Sequence, residues 1–295
     1  MPLKALFLIV VSAWLQAALN VPIKNSERKV GFVAGASLVS LVLYFPLLVW
    51  GRGLLAERHY PADVWSWIGV AACGVTSALY YIFIGGAYDR EDFSLVFPVT
   101  RGLGPIFILI FALTLLKERI SSLGLLGILI TVFGSYVIYL PSFGSSSLLS
   151  PVKAFKSKTF LLSMGAGACT AVYALINKRN LRGMEPFTLR YLIFGFMALS
   201  LVIFTLLGDG RNHVSLELKH NWRNLLLFGL FDFISAVLVL YALKTSKVSY
   251  LGAARNISVV FGVVLGSFLL REGYGKIRFL ASTLIFAGVF LLSVS

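Results

Sequence analysis

The sequence has little of what most enzymes and soluble domains depend on. Only 13% of its 295 residues are charged, which is about half the fraction usual in soluble domains. Two cysteines, Cys73 and Cys169, are too few for a disulfide framework and lie inside apolar stretches. The three histidines lack metal-ligand spacing and a neighbouring nucleophile, and no phosphate-binding or dinucleotide-binding glycine motif occurs. We therefore expect neither an enzyme nor a metal or organic cofactor.

Long apolar stretches make up most of the chain instead. Hydrophobic residues account for 58% of it, and its mean hydropathy is +0.89. Windows of about 20 apolar residues can each cross a bilayer as a helix. Ten such windows lie near 3–23, 30–50, 64–88, 93–116, 121–140, 159–177, 187–208, 222–243, 248–270 and 276–294. The alternating pattern of a membrane β-barrel is absent. We predict an all-α polytopic membrane protein with ten transmembrane helices, its polar connections being short except at 142–158 and 209–223.

The net charge of +14 does not indicate nucleic acid, because most basic residues fall at helix ends, where lipid headgroups lie. These residues, among which we count Arg190, divide almost evenly between the two predicted membrane faces. The positive-inside rule therefore does not orient the chain.

An internal repeat appears when the chain is shifted against itself by 154 residues. Four charged residues then meet identical ones: Lys24 meets Lys178, Arg28 meets Arg182, Arg101 meets Arg255, and Glu118 meets Glu272. We expect a five-helix repeat at 1–141, a linker at 142–158 and a second five-helix repeat at 159–295. Because five is odd, the second repeat enters the membrane from the opposite side, as in alternating-access transporters.

Two arginines lie inside predicted transmembrane helices, where a charged side chain is costly. Arg101 lies roughly 12 Å into the fourth window at the helical rise per residue, and Arg255 occupies the same place in the ninth. We expect Pro105 to kink the fourth helix and free the carbonyl of Arg101. In the ninth helix Arg255 should share its face with small residues. The planar guanidinium suits a carboxylate, phosphate or phosphonate, although snorkelling or a static ion pair are structural alternatives.

Asp232 is the one acidic residue far from a helix end, and its repeat partner is Ala78. It could couple protons, face a cationic substrate group, or form a fixed salt bridge with Arg255 or Arg101. Further candidates for lining a cavity, or for packing helices, are Trp14, Asn20, Tyr80, Tyr81, Tyr173 and Asn256. We expect Glu118 and Glu272 to cap short turns or to pair at the membrane edge.

Three segments carry a resemblance to a known family. They are LQAALNVPIK at 15–24, FPVTRGLGPIFILIFALTLLKERIS at 97–121 and SYLGAARNISVVFGVVLGSFLLREG at 249–273. Together with the repeat, they resemble the EamA branch of the drug/metabolite transporter superfamily. Gln16 and Leu19 depart from it, since relatives often have His and Trp there.

The resemblance implies a ten-helix fold whose cavity is lined by helices 1–4 and 6–9, with helices 5 and 10 peripheral. Both termini would be cytoplasmic, and the chain would be a monomer or a homodimer. It also implies a small-molecule substrate without metal or cofactor, because members carry amino acids, nucleotide sugars, sugar phosphates, amines or drugs.

From these observations we predict a secondary transporter of a small anionic or zwitterionic metabolite in the cytoplasmic (inner) membrane, with protons as a candidate coupling ion. One alternative is an exporter of aromatic amino acids, amines or hydrophobic drugs, in which the arginines are structural. A lipid-handling protein or flippase is an alternative of another class.

Overall fold

The computed structural model describes residues 1–50, 61, 63–90, 93–137, 157–208, 213–261 and 276–295, and of residues 20–25, 50, 93–99, 101, 102, 276 and 278 only the backbone. Every regular element in these ranges is a helix. The helices are α1 (Leu3–Asn25), α2 (Lys29–Trp50), α3 (Val64–Tyr88), α4 (Phe93–Thr114), α5 (Ser122–Val137), α6 (Lys158–Asn180), α7 (Pro186–Leu207), α8 (His213–His220), α9 (Trp222–Thr245), α10 (Val248–Ala254) and α11 (Lys276–Val294).

Five helices are long and apolar enough to cross a membrane: Lys29–Val49, Val64–Tyr88, Lys158–Asn180, Pro186–Leu207 and Trp222–Thr245. Four shorter apolar helical stretches lie at Leu3–Leu19, Leu103–Thr114, Ser122–Val137 and Phe279–Val294. Large apolar side chains such as Trp65 and Leu207 are exposed on the outside of the bundle, as expected for surfaces that face lipid. The chain is thus a multi-pass membrane protein, and the full set of ten spans stays a prediction.

The starts of several helices are fixed by side chains that accept hydrogen bonds from the first backbone N–H groups, which have no partner inside the helix. Asp63 accepts from the backbone N–H of Ser66 at 2.7 Å. Hydrogen bonds from the Ser66 side chain and then from its backbone N–H lower the pKa of the Asp63 carboxyl from its ordinary value. Glu185 accepts from the second and third residues of α7, which begins with Pro186. These caps place the helix ends at the polar borders of the apolar windows.

The helices pair across the two repeats. Helix α1 packs against α9, and its repeat counterpart α6 packs against α3, the counterpart of α9. Likewise α2 packs against its own counterpart α7, and α5 against its counterpart α11. Exchanging the two repeats leaves this set of pairs unchanged, which is what an approximate two-fold relation between them requires.

The pair α5–α11 is held together by glycines. A Cβ atom at Gly134 would lie 2.9 Å from the backbone nitrogen of Ile285 and 3.0 Å from the carbonyl oxygen of Ala281. Gly127 approaches the backbone of Gly288 in the same way. Such close backbone approach needs small residues, as is usual between membrane helices.

The connection predicted at 209–223 contains a helix that the sequence did not predict. Helix α8 packs against α2, and the carboxylate of Glu217 is buried there. It accepts hydrogen bonds from the Ser26 hydroxyl at 3.2 Å and from the Asn221 amide at 2.7 Å. These two donors explain how a carboxylate can be buried beside α2.

Candidate functional site

A polar cavity lies between the helices of the two repeats. Its empty volume is about 710 Å³, the open mouth included. Its lining comes from helices α1, α3, α6, α7 and α9 and from Arg255, which follows α10. Helices α5 and α11 contribute none of the described lining residues. The lining residues are Gln16, Thr76, Ser77, Tyr80, Tyr81, Cys169, Thr170, Tyr173, Arg190, Met197, Asp232, Ser235, Ala236, Val239 and Arg255. Hydroxyl groups, an amide and three charged side chains thus converge in the centre of an apolar bundle.

Arg190 and Asp232 form a buried salt bridge in this cavity. The Arg190 Nη2 atom donates to Asp232 Oδ2 at 3.1 Å, and the two side chains are 6% and 10% exposed. Arg190 Nη1 also donates to the Tyr173 hydroxyl at 3.2 Å. The guanidinium lies 4.0 Å from the centroid of the Phe194 ring, a distance at which a cation is attracted to the ring face. One partner carboxylate, one hydroxyl and one ring therefore hold the guanidinium in place.

Arg255 enters the cavity from an interruption of its helix. Helix α10 ends at Ala254, residues 255 and 256 form a turn, and helical residues resume at 257–261. Backbone bonds over three residues mark the turn: Asn256 N–H donates to the Ala253 carbonyl at 3.0 Å, and Ser258 N–H donates to the Arg255 carbonyl at 3.1 Å. The Arg255 Nη2 atom donates to Gln16 Oε1 at 3.1 Å, which links the second repeat to α1.

A second, smaller cavity lies on the other side of Arg255. Its empty volume is about 460 Å³, and it is lined by Tyr80, Thr100, Gly104, Pro105, Ile108, Thr170, Ala174, Leu251, Gly252, Arg255 and Asn256. Asn256 is 2% exposed, and its Nδ2 atom has no hydrogen-bond partner within the part of the chain that the structure describes. Arg255 is therefore shared by two cavities of different polarity.

Most of the candidates from the sequence are found in these two cavities. Arg255, Asp232, Tyr80, Tyr81 and Tyr173 line the larger one, and Asn256 lines the smaller one together with Arg255 and Tyr80. Trp14 lines neither and is 51% exposed. The side chains of Arg101 and Asn20 lie outside the described residues.

Two expectations about buried charge were wrong. The partner in the salt bridge of Asp232 is Arg190, which was not among the arginines named for it. Arg190 itself does not belong to the basic residues of a membrane face, because it lies inside α7 and is buried. Its position five residues after Glu185, near the start of an apolar window, made it look like a helix-end cation.

The repeat carries a signal that identifies Arg190. The same shift of 154 residues that aligns Asp232 with Ala78 aligns Arg190 with Ala36, and both alanines are buried. Each member of a buried ion pair thus stands where the other repeat has a buried alanine. Two charges of opposite sign, both aligned with apolar residues, are an indication of mutual pairing.

Helix α4 continues past Pro105 to Thr114, and the kink expected at Pro105 stays a prediction. The repeat counterpart of α4 is interrupted at Arg255, where neither residue of the turn is Gly or Pro. The small residues expected to share a face with Arg255 include Gly262 and Gly266, which lie outside the described residues.

Glu118 caps a helix of the other repeat, whereas the sequence had suggested a cap of a short turn or a pair at the membrane edge. Its two carboxylate oxygens accept from the backbone N–H groups of Val248 at 2.7 Å and Ser249 at 3.2 Å, and from the Ser249 hydroxyl at 2.7 Å. Glu118 lies shortly after the end of α4 and therefore caps α10, which is followed at its other end by Arg255. The repeat partner Glu272 lies outside the described residues.

The chemistry available in the cavity is that of binding. Within the described ranges, no three His, Cys, Asp or Glu side chains come close enough to hold a metal ion. Cys73 and Cys169 are buried and unpaired thiols. What the cavity offers is a fixed ion pair, a second guanidinium, and hydroxyls that can donate or accept.

Comparison with known proteins agrees with this architecture. The model of the EamA-like transporter family matches residues 3–140 and 157–294, that is, both repeats. No curated protein matches the sequence significantly. A solved structure, titled only as the crystal structure of a protein, superposes with a TM-score of 0.71 at 16% identity, over 100% of this chain and 98% of that chain. At this identity the likeness supports the fold alone.

Proposed function

The chain belongs to the EamA-like transporter family of the drug/metabolite transporter superfamily, and from this premise we propose that it is a secondary active transporter of a small anionic or zwitterionic metabolite. It would act in the cytoplasmic membrane with both termini in the cytoplasm. Ten spanning helices, arranged as two inverted repeats, would rock around the central cavity and expose it to one side of the membrane at a time.

The charge of the cavity is the observation that carries the substrate class. Its described lining residues carry two positive charges, on Arg190 and Arg255, and one negative charge, on Asp232, which pairs with Arg190. A guanidinium in a largely apolar bundle attracts an anion strongly, because little water competes with it. We assign the acidic group of the substrate to Arg255, and Arg101 would serve the same group from the other repeat.

The Arg190–Asp232 pair supplies the other half of a zwitterion site. A carboxylate that accepts one bond from a guanidinium keeps further lone pairs for a substrate ammonium or a proton. Asp232 would therefore hold an amine or exchange a coupling proton.

The tyrosines that line the cavity favour a second candidate, the export of aromatic amino acids or hydrophobic compounds. The rings of Tyr80 and Tyr81 stand edge to face with centroids 5.1 Å apart, and Tyr173 lies on the same cavity. In that case the arginines would stabilise the fold without contacting the substrate.

Uptake into proteoliposomes tests the site. Arg255→Ala and Arg101→Ala should each lower uptake at least about tenfold, the loss expected when a charge-assisted hydrogen bond is removed. Arg182→Ala, which truncates an exposed arginine at a helix end, is the matched control and should transport normally. Wild-type uptake by both cavity variants would overturn the assignment.

Thermal stabilisation of the purified protein separates the two candidates. The panel contains phosphates, amino acids, aromatic amines and lipids, each at several pH values. Stabilisation by anionic and zwitterionic members supports the proposal. Stabilisation by aromatic compounds alone, unchanged in Arg255→Ala, supports the exporter.

A further inference from the structure

The interruption at residues 255 and 256 needs a physical reason. A turn with bonds over three residues gives up regular helical bonds inside a buried segment, and proteins tolerate this at membrane depth where the backbone is covered by protein or lines a cavity. Here both residues of the turn, Arg255 and Asn256, line the smaller cavity. The interruption turns two neighbouring polar side chains toward the same space.

Asn256 is costly to bury as it stands. It is 2% exposed, and its Nδ2 atom has no hydrogen-bond acceptor among the described residues. A buried donor without a partner loses its hydration and gains nothing in return. An anionic oxygen attracted by Arg255 would give this amide an acceptor.

The remaining walls of this cavity leave room for a compact group. Across from the turn lie Gly104 and Pro105 of α4 and Ala174 of α6. A Cβ atom at Gly104 would lie 3.9 Å from the nearest atoms, both on Thr170, so a methyl group there would occupy the cavity without a clash. These three residues are small, which leaves room for a compact head, and the other lining residues include hydroxyl groups that can donate to it.

We infer that the smaller cavity is a separate subsite that takes the compact anionic head of the substrate, a carboxylate, phosphate or phosphonate, between Arg255 and the Asn256 amide. The rest of the substrate then lies in the larger cavity among Tyr80, Tyr81 and the Arg190–Asp232 pair. Arg255 faces both cavities and joins the two parts. This inference rests on the proposed transport function and narrows it to substrates with the charged head at one end.

The test uses anions that consist of the head alone. Purified full-length protein is titrated with acetate, inorganic phosphate or methylphosphonate against chloride at equal ionic strength, and the thermal midpoint is followed. At least one anion should raise the midpoint of the wild type above the chloride control. Which of the three is most effective identifies the chemistry of the head.

Two variants address the subsite independently. Asn256→Asp keeps the shape of the side chain but places a carboxylate where the donor was, and Gly104→Ala fills the cavity with one methyl group. Asn256→Asp should raise the concentration of anion needed for half of the stabilisation by about tenfold or more, through the loss of one hydrogen bond to a charged group. Gly104→Ala should raise it as well, because the methyl group takes up space that the anion needs. Gly195→Ala is the control, because nothing lies within 4 Å of the added Cβ and Gly195 lines neither cavity.

The outcomes separate this inference from the proposed function. If Arg255→Ala abolishes stabilisation while Gly104→Ala leaves it unchanged, the anion binds in the larger cavity, and the subsite is overturned although the transport proposal stands. If none of the three anions stabilises the wild type, the subsite is likewise overturned, and uptake in proteoliposomes decides on transport separately. Weakened binding in Gly104→Ala with normal binding in Gly195→Ala supports the subsite even where Asn256→Asp does not fold.

Discussion

The buried salt bridge between Arg190 and Asp232 should make single and double substitutions behave very differently. At the observed 3.1 Å, and with an effective dielectric constant of about 20, two unit charges attract by about 5 kcal/mol. Desolvation of both groups offsets much of this. Removing one partner keeps the desolvation cost of the other and loses the attraction. Asp232→Leu should therefore destabilise the protein by about 3–5 kcal/mol.

The double variant Arg190→Met with Asp232→Leu should recover most of this loss. It removes both buried charges, together with the Arg190 Nε atom, which has no partner among the described residues. Replacing a buried pair by apolar side chains of similar volume is often neutral or stabilising. The expected coupling energy of the cycle is thus about 3 kcal/mol or more. Asp232→Asn is the matched control, since it keeps the volume and an acceptor oxygen.

The cycle consists of the wild type, Asp232→Leu, Arg190→Met and the double variant. Their unfolding in the same detergent is followed by intrinsic fluorescence, and uptake is assayed on the same preparations. We expect the double variant to regain stability but not transport, because the substrate loses its partner carboxylate. Additive effects of the two single substitutions would refute the claim of a desolvated pair. Recovery of both stability and transport would show that the pair has a structural role alone.

Two more substitutions test the packing that positions the site. Glu118→Ala should lower stability by about 1–2 kcal/mol through loss of the α10 cap, visible as a lower unfolding midpoint; an unchanged midpoint would contradict the cap. Gly134→Val should cost about 1–3 kcal/mol by overpacking α5 against α11, because its Cβ would lie 2.9 Å from backbone. Gly195→Ala, with open space around it, serves as the control for both, and a Gly134→Val protein as stable as that control would refute the close approach.

The sequence predicted the helices well because the membrane leaves few alternatives. A segment without access to water must satisfy its backbone internally, so an uninterrupted apolar run becomes a helix. The window at 64–88 coincides with α3, and those at 187–208 and 222–243 agree with α7 and α9 within two residues. Helix α8 was missed, since eight polar and apolar residues in a connection carry no such constraint.

The site was predicted less completely, because it depends on which helices meet. Asp232 and Arg255 could be singled out as isolated charges in apolar runs, and both line the cavity. That Arg190 reaches Asp232 depends on the packing of α7 beside α9, which local sequence does not encode. The turn at 255 and 256 was not predictable either, because it contains no Gly or Pro.

The distribution of polar contacts also bears on how the proposed motion could occur. Arg190, Asp232 and Tyr173 all belong to the second repeat, so their costly ion pair can remain intact while the two repeats move against each other. The contacts that join the repeats near the cavity are weaker. Ser12 and Ser235 exchange hydrogen bonds of 2.8–3.1 Å, and Arg255 donates to the neutral Gln16. Bonds of this kind have net values of about 0.5–3 kcal/mol, and water or substrate can replace them. Under the proposed rocking motion, the strong electrostatic pair would stay untouched within one repeat, and the exchangeable bonds between the repeats would be the ones to break.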